Sequence, residues 1–308
     1  MGQCQDRLNS VLSNLSSIYE NYLYLKNYYE YLEIKPIIYS DKCRKSIIDI
    51  KQGIKIDNLS FKYPGTDRYA VKGINIDIKN GESIALVGNN GAGKTTLIKL
   101  ISRLYDPDEG NIYVDGQNLK EIDCTEYQKM IGIVFQDYGK YHFEAKENIG
   151  FGSICDIKNE TMITKAANIS GAHELISRLP KGYASTLGRY FDDGCQLSVG
   201  EWQKVAVARA FMGNSKIIIL DEPSASMDTT TEYELFKNIK EYTGKKISII
   251  ISHRFSNVRI ADRIVVLDKG EIAEIGSHEE LMRADGNYKK MFIMQAERYF
   301  STGQELRK

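Results

Sequence analysis

The eight residues Gly88-Asn89-Asn90-Gly91-Ala92-Gly93-Lys94-Thr95 constrain this chain more than any other stretch. They fit the pattern G-x-x-x-x-G-K-[ST]. The run before them, Ser83-Ile84-Ala85-Leu86-Val87, is almost continuously apolar, as suits a strand covered on both faces. A helix is expected after them, over 94–104. Glycines let a backbone wrap closely enough for successive N–H groups to face phosphate oxygens. The helix that follows adds partial positive charge at its N-terminus. Lys94 is placed to reach the terminal phosphates of a nucleotide, and the Thr95 hydroxyl, beside Thr96, to bind Mg²⁺.

A second motif completes this chemistry. Ile217-Ile218-Ile219-Leu220-Asp221-Glu222 reads as a buried strand that ends in two carboxylates. Strand ends are where open α/β sheets bind their ligands. Asp221 is expected to hold the metal, through water, and Glu222 to orient or deprotonate an attacking water.

Around these motifs the pattern is that of an α/β domain. Ile54-Lys55-Ile56 and Ile74-Asn75-Ile76-Asp77-Ile78 alternate apolar and polar residues, as half-buried antiparallel strands do. Apolar runs at 131–135, 217–220, 247–251 and 264–267 alternate with helical stretches. Between 140 and 212 the pattern is helical, which predicts a helical subdomain inserted into the core. The first 50 residues differ: Leu8, Val11, Leu15, Ile18, Tyr22, Leu25, Tyr29 and Leu32 form one helical stripe, which Pro36 should end. The expected organisation is a helical leader over 1–50 and a nucleotide-binding α/β domain over 51–308. The leader either lies on its own domain, or is left exposed by truncation, or continues a missing membrane segment.

Composition narrows the partners. Lysine plus arginine, 41, equals aspartate plus glutamate, 41, so no overall field gathers nucleic acid. Five scattered cysteines without a C-x-x-C pair favour reduced thiols in a cytosolic compartment. No run of about 18 apolar residues exists to span a bilayer as a helix. Any pore must lie elsewhere.

With these motifs read, the chain resembles the nucleotide-binding domain of ATP-binding cassette proteins over roughly residues 51–298. Leu197-Ser198-Val199-Gly200-Glu201 is similar to the family's LSGGQ signature and lies between the two phosphate motifs, as in the family. The resemblance implies a P-loop NTPase core with an antiparallel β subdomain and an inserted helical subdomain, preceded here by an amphipathic helix. It implies an ATPase that uses Mg²⁺, with Glu222, His253 and Gln136 catalytic and Thr95, Gln136 and Asp221 at the metal. Tyr63 falls where the family stacks a ring on adenine, and Asp228 matches the D-loop aspartate. It further implies a head-to-tail homodimer, or pairing with a second cassette, in which Ser198, Val199, Gly200 and Glu201 meet the nucleotide of the partner. From the residues alone, Ser198-x-x-Glu201 fits a capping box, so a helix should begin there and aim free N–H groups at an anion.

Within the family the chain is most similar to exporters. Phe61-Lys62-Tyr63-Pro64-Gly65, Arg178-Leu179-Pro180-Lys181-Gly182-Tyr183 and Gly276-Ser277-His278-Glu279-Glu280-Leu281 carry that likeness. Gly200-Glu201-Trp202-Gln203-Lys204 and the long link from Gly188 to Leu197 resemble bacterial exporters of lantibiotics and related peptides. The implied setting is the cytoplasmic face of the cell membrane, through a transmembrane partner or a fused membrane domain. Two departures stand out. Val199 replaces the usual glycine of the signature, and Glu201 replaces glutamine. They leave open a slow ATP-dependent dimerisation module; a cassette not coupled to transport is a separate alternative. The family's acidic coupling segment falls near 187–194, where Arg189 replaces the common glutamate.

Overall fold

Apolar residues every three or four positions generate α1 (Gly2–Leu32), none of which is buried. The computed structural model describes residues 2–35, 38, 49–224, 227 and 229–305. It divides into two compact units, residues 1–39 and 40–308. In the first, the stripe seen in the sequence stays exposed along α1; Pro36 lies outside the described residues. Among the described residues no helix is long and apolar enough to cross a membrane.

The second unit begins with β1 (Gly53–Lys62) and β2 (Tyr69–Lys79), paired antiparallel as their alternation predicts. β3 (Ser83–Val87) leads into α2 (Lys94–Ile101). Then come β4 (Glu109–Val114), β5 (Gln117–Asn118), α3 (Cys124–Lys129) and β6 (Ile131–Val134). Four helices occupy the stretch expected to be helical: α4 (Ala145–Gly150), α5 (Glu160–Ser170), α6 (Ala172–Ser177) and α7 (Val199–Ala210). β7 (Ile217–Asp221), α8 (Thr229–Thr243), β8 (Ile247–Ile251) and α9 (Phe255–Val258) follow. β9 (Arg263–Asp268), β10 (Glu271–Gly276), α10 (His278–Arg283) and α11 (Asn287–Glu305) complete the chain.

Two sheets result. One is antiparallel in the order β2-β1-β4-β5, and the other runs β10-β9-β3-β8-β7-β6. In the second, β9, β3, β8, β7 and β6 are parallel and β10 is antiparallel to β9. Strand β7 shows why its sequence is nearly all isoleucine. Ile217 and Ile219 face a core shared with α2 and the antiparallel sheet, whereas Ile218 and Leu220 face the core of α5, α7 and α8. Both faces are covered, so alternation is lost. A third core sets β3 and β9 against Phe255, Val258 and Tyr288.

The helix expected over 94–104 stops at Ile101. Arg103 takes a left-handed backbone, φ 51°, and its buried guanidinium donates to the Ile122 carbonyl at 2.6 Å. That tertiary demand overrides a locally helical sequence. The strands β4, β5 and β10 are additions that the sequence pattern did not announce.

Candidate active site

Four parallel strands that are neighbours in the sheet deliver the site from their carboxyl ends. β3 runs into the glycine turn, β7 into Asp221 and Glu222, β8 into His253, and β6 into Gln136. Residues separated by more than a hundred positions therefore meet at one edge, as the topology of open α/β sheets requires.

Two glycines of the turn are sterically obligatory. At Gly88, φ 153°, a Cβ would lie 2.2 Å from the Leu267 carbonyl oxygen; at Gly93, φ 102°, it would lie 2.7 Å from that of Ala70. The turn is thus clamped between β2 and the β9–β10 hairpin, and the Gly270 N–H donates to the Ala92 carbonyl at 3.1 Å. Lys94 is almost buried and curls back over the turn, its Nζ donating to the carbonyls of Gly88 at 2.7 Å and Asn89 at 3.0 Å. Burial holds its pKa below the usual lysine value, against the opposing pull of Glu222 and Asp221. The first N–H groups of α2 have no partner inside the helix and face the turn's concavity.

Opposite the ammonium, the Thr95 hydroxyl donates to Asp221 Oδ2 at 3.0 Å. Burial raises the Asp221 pKa, and the neighbouring Glu222 charge adds to this; Thr95, Lys94 and His253 oppose it. A buried carboxylate of raised pKa gains from a cation. The donor set suits Mg²⁺, a hard ion that takes oxygen from one hydroxyl and one carboxylate and fills its shell with water and phosphate. No cluster of three His, Cys, Asp or Glu side chains among the described residues would hold a metal by itself.

Glu222 is the most constrained member. Its backbone is left-handed, φ 52°, a conformation that costs a non-glycine residue free energy and points to function. Its N–H donates to the Ile251 carbonyl at 3.0 Å, and its own carbonyl accepts from Gln203 Nε2 at 2.9 Å. The carboxylate lies between two partners: His253 Nε2 at 2.8 Å from Oε1 and Gln136 Nε2 at 3.4 Å from Oε2.

A cavity of about 500 Å³ joins these groups. Its wall includes Tyr63, Asn90, Gly91, Ala92, Gly93, Lys94, Thr95, Thr96, Gln136, Glu222 and His253, all singled out from the sequence. The Tyr63 ring is fixed edge-on against Phe61 and Tyr105, with centroids 5.2 and 5.4 Å away, and its hydroxyl lies 3.2 Å from Thr96 Oγ1. Gly88 and Asn89 line an adjoining cavity beside His253. Asp221 opens onto a third, with Thr95 and Gln136.

Ser198, Val199, Gly200 and Glu201 do not line the cavity that Lys94 faces. They begin α7, where Glu201 Oε2 accepts from the Ser198 N–H at 2.7 Å and Ser198 Oγ accepts from the Glu201 N–H at 3.3 Å. This is the capping box expected at that position. Val199 points outward, 54% exposed. Tyr138, two residues past Gln136, donates to the Val199 carbonyl at 3.1 Å. Together with the Gln203 bond to Glu222, this ties the start of α7 to the catalytic edge from two directions. Asp228 lies outside the described residues.

Sequence reasoning missed several wall residues. Arg68 and Lys269 bring two cations to the cavity, alongside Thr66 and Tyr69. Lys269 sits in the turn Asp268-Lys269-Gly270, whose lysine-glycine pair signals a hairpin. Arg68 carries no comparable signal.

A family model described as "ABC transporter" matches residues 71–225. The subtilin transport ATP-binding protein SpaT of Bacillus subtilis is 41% identical over 93% of this chain and 47% of its own length. The nisin transport ATP-binding protein NisT of Lactococcus lactis subsp. lactis is 35% identical over 92% of this chain and 47% of its own. The chain thus spans about half the length of these relatives. Among solved structures, a bacterial Atm1-family ABC exporter with ATP bound superposes with a TM-score of 0.82 at 32% identity, covering 91% of this chain and 48% of that one.

Proposed function

The chain belongs to the ABC transporter family, and from that membership we propose that it is the ATP-binding and ATP-hydrolysing part of an exporter. One observation carries the reading: Lys94, Thr95, Asp221, Glu222, Gln136 and His253 converge at the carboxyl ends of four neighbouring strands. The turn N–H groups and Lys94 bind the phosphates of ATP, while the Tyr63 ring offers a face for adenine. Thr95 and Asp221 hold Mg²⁺, with Gln136 beside them; the ion neutralises charge on the phosphates. Glu222 orients the attacking water and takes its proton, a role that suits a carboxylate held by His253 on one oxygen and Gln136 on the other.

The capped start of α7 supports a head-to-tail dimer. Its capping box takes up the Ser198 and Glu201 N–H groups and leaves those of Val199 and Gly200, at an outward-facing helix start, to form a second anion-binding end for the nucleotide of another cassette. With Asp228 of the D-loop, these contacts let ATP join two cassettes and hydrolysis part them. A transmembrane domain is the remaining partner, either a separate chain or a fused one, placing this unit at the cytoplasmic face of the membrane. The exposed Tyr190 and Phe191, with His142 stacked on Tyr190 at 5.6 Å, form a surface on which such a partner can seat. The exposed stripe of α1 fits the continuation of a membrane helix. The likeness to transporters of subtilin and nisin supports a peptide as cargo. Val199 favours a second reading, a slow dimerisation module, because its exposed Cβ stands where the family has glycine.

Phosphate release by the purified chain with Mg-ATP tests the enzyme reading. Glu222→Gln should lower turnover by about 10²-fold or more while nucleotide affinity persists. Wild-type turnover no higher than that of Glu222→Gln would leave only the dimerisation module. Release of a precursor peptide from cells, lost with the same substitution, tests the cargo.

A further inference from the structure

Helix α11 lies directly behind the loop that carries His253. Tyr288, Met291, Phe292 and Gln295 are spaced i, i+3, i+4 and i+7, so they share one helix face. Tyr288 is fully buried, and its hydroxyl pairs with His278 Nδ1 at 2.8 Å. Phe255, two residues past His253, packs edge-on against both Tyr288 and Phe292, with centroids 5.3 and 5.5 Å away. One turn further along that face, Gln295 meets the loop itself. Its Oε1 accepts from the Phe255 N–H at 2.9 Å, and its Nε2 donates to the His253 carbonyl.

Three features make this pair of bonds more than a docking contact. First, a primary amide carries donor and acceptor in one rigid plane, so it bridges backbone groups two residues apart as a neighbouring strand would. Second, Phe255 opens α9, whose N-cap residue, Arg254, makes no side-chain cap bond; Gln295 accepts from the first helical N–H, which has no partner within the helix. Third, a cavity of about 700 Å³ borders the loop, lined by Asn89, Asn90, His253 and Met294 among others. On that side the loop faces the cavity. The position of the His253 backbone therefore depends on its bonds: Gln295 on one flank, Ser252 Oγ to the Arg254 N–H at 3.0 Å, and the Arg254 guanidinium tied to Glu232 and to the Met227 carbonyl. The imidazole then projects to Glu222 at 2.8 Å.

We propose that Gln295 is a positioning residue for hydrolysis: helix α11 sets the His253 loop, and through it the Glu222 carboxylate. This rests on the reading of Glu222 and His253 as parts of an ATPase. Gln295 does not line the cavity that Lys94 and Tyr63 share and acts through the His253 loop, so its effect falls on the chemical step rather than on binding.

Gln295→Met keeps the length and the apolar packing but removes both bonds; Gln295→Glu keeps the acceptor for Phe255 and loses the donor to His253. In the full chain, Gln295→Met should lower kcat for Mg-ATP by about tenfold, the scale of a small misplacement of a reacting group, with KM changed less than twofold. Gln295→Glu should lie between the two, and it replaces Gln295→Met as the test should that variant not fold. The imidazole signal of His253 in histidine-labelled protein, identified through His253→Ala, should move in both variants. A kcat within twofold of wild type, or an unmoved His253 signal in folded protein, overturns the proposal. Wild-type protein without hydrolysis would instead overturn the ATPase reading. The His253 signal alone would then decide whether Gln295 holds the loop.

Discussion

Replacing Lys94 with methionine separates the fold of the phosphate turn from its function. The Lys94 ammonium is buried in the folded protein. Its folded pKa lies below the ordinary value because burial disfavours the charge. The unfolded chain therefore holds this proton more tightly, so the charge costs stability below the folded pKa, and that cost fades as pH rises from the folded toward the unfolded value. Methionine removes that cost but deprives the Gly88 and Asn89 carbonyls of a donor, a loss of about 1 kcal/mol each. The two effects oppose, so the unfolding free energy should fall by less than the roughly 2 kcal/mol that the two bonds alone would cost. Nucleotide binding has no such compensation. An ammonium about 3 Å from a phosphate oxygen gains roughly 5 kcal/mol at an effective dielectric constant of about 20. Surrendering the two carbonyls returns about 2 kcal/mol. The remaining 3 kcal/mol or so corresponds to about 10²-fold in Kd. Titration calorimetry with Mg-ATP, paired with urea unfolding, reads both quantities. A Kd within threefold of wild type refutes the phosphate cradle. An affinity loss matched by a large drop in unfolding free energy refutes the separation of fold from function.

Three further outcomes follow from the same geometry. Val199→Gly removes an exposed Cβ at the first turn of α7; ATP-dependent dimerisation, followed by light scattering, should occur at lower ATP, with at most about 1 kcal/mol lost from helix propensity. Unchanged dimerisation would mean that this side chain does not obstruct the nucleotide. Arg254→Met leaves Glu232, 2% exposed, without its cation and should lower the unfolding free energy by about 3 kcal/mol in urea, less whatever Asn257 and Ser224 recover. A loss under about 1 kcal/mol would show that those neutral partners suffice. Lys246 has its pKa pushed down to about 8 by burial and by Lys165 and Lys216. Between that pH and its unfolded value the unfolded chain binds more protons, so stability should rise with pH there, and Lys246→Met should flatten the slope. An identical slope in the variant would assign the rise to other groups.

The site was legible in the sequence wherever a residue type is demanded by local backbone or by phosphate chemistry. The glycine turn, the Asp221-Glu222 strand end and the Ser198–Glu201 cap all belong to that class. What escaped was set by contacts distant in sequence. β4 is interrupted by Gly110 and alternates only at Ile112 and Val114, β5 has two residues, and β10 is an edge strand with half of its residues exposed, so none shows a long buried period. Arg103 ends α2 because its guanidinium is wanted at Ile122, which nothing near residue 103 reveals. Gln203 and Gln295 read as ordinary helical amides until the sheet brings Glu222 and His253 beside them.

Because every reactive group issues from the carboxyl ends of the parallel strands, the opposite rim of the sheet is left to connection alone. There the turn between α8 and β8 exposes Gly244 and Lys245, at the rim where the Ser248 N–H donates to the Glu82 carbonyl at 3.0 Å. Such a rim accepts new covalent arrangements: a spliced-in reporter peptide, a dye, or relocated chain ends. An engineer can cut and rejoin the polypeptide at 244–245 while the nucleotide edge keeps its spacing.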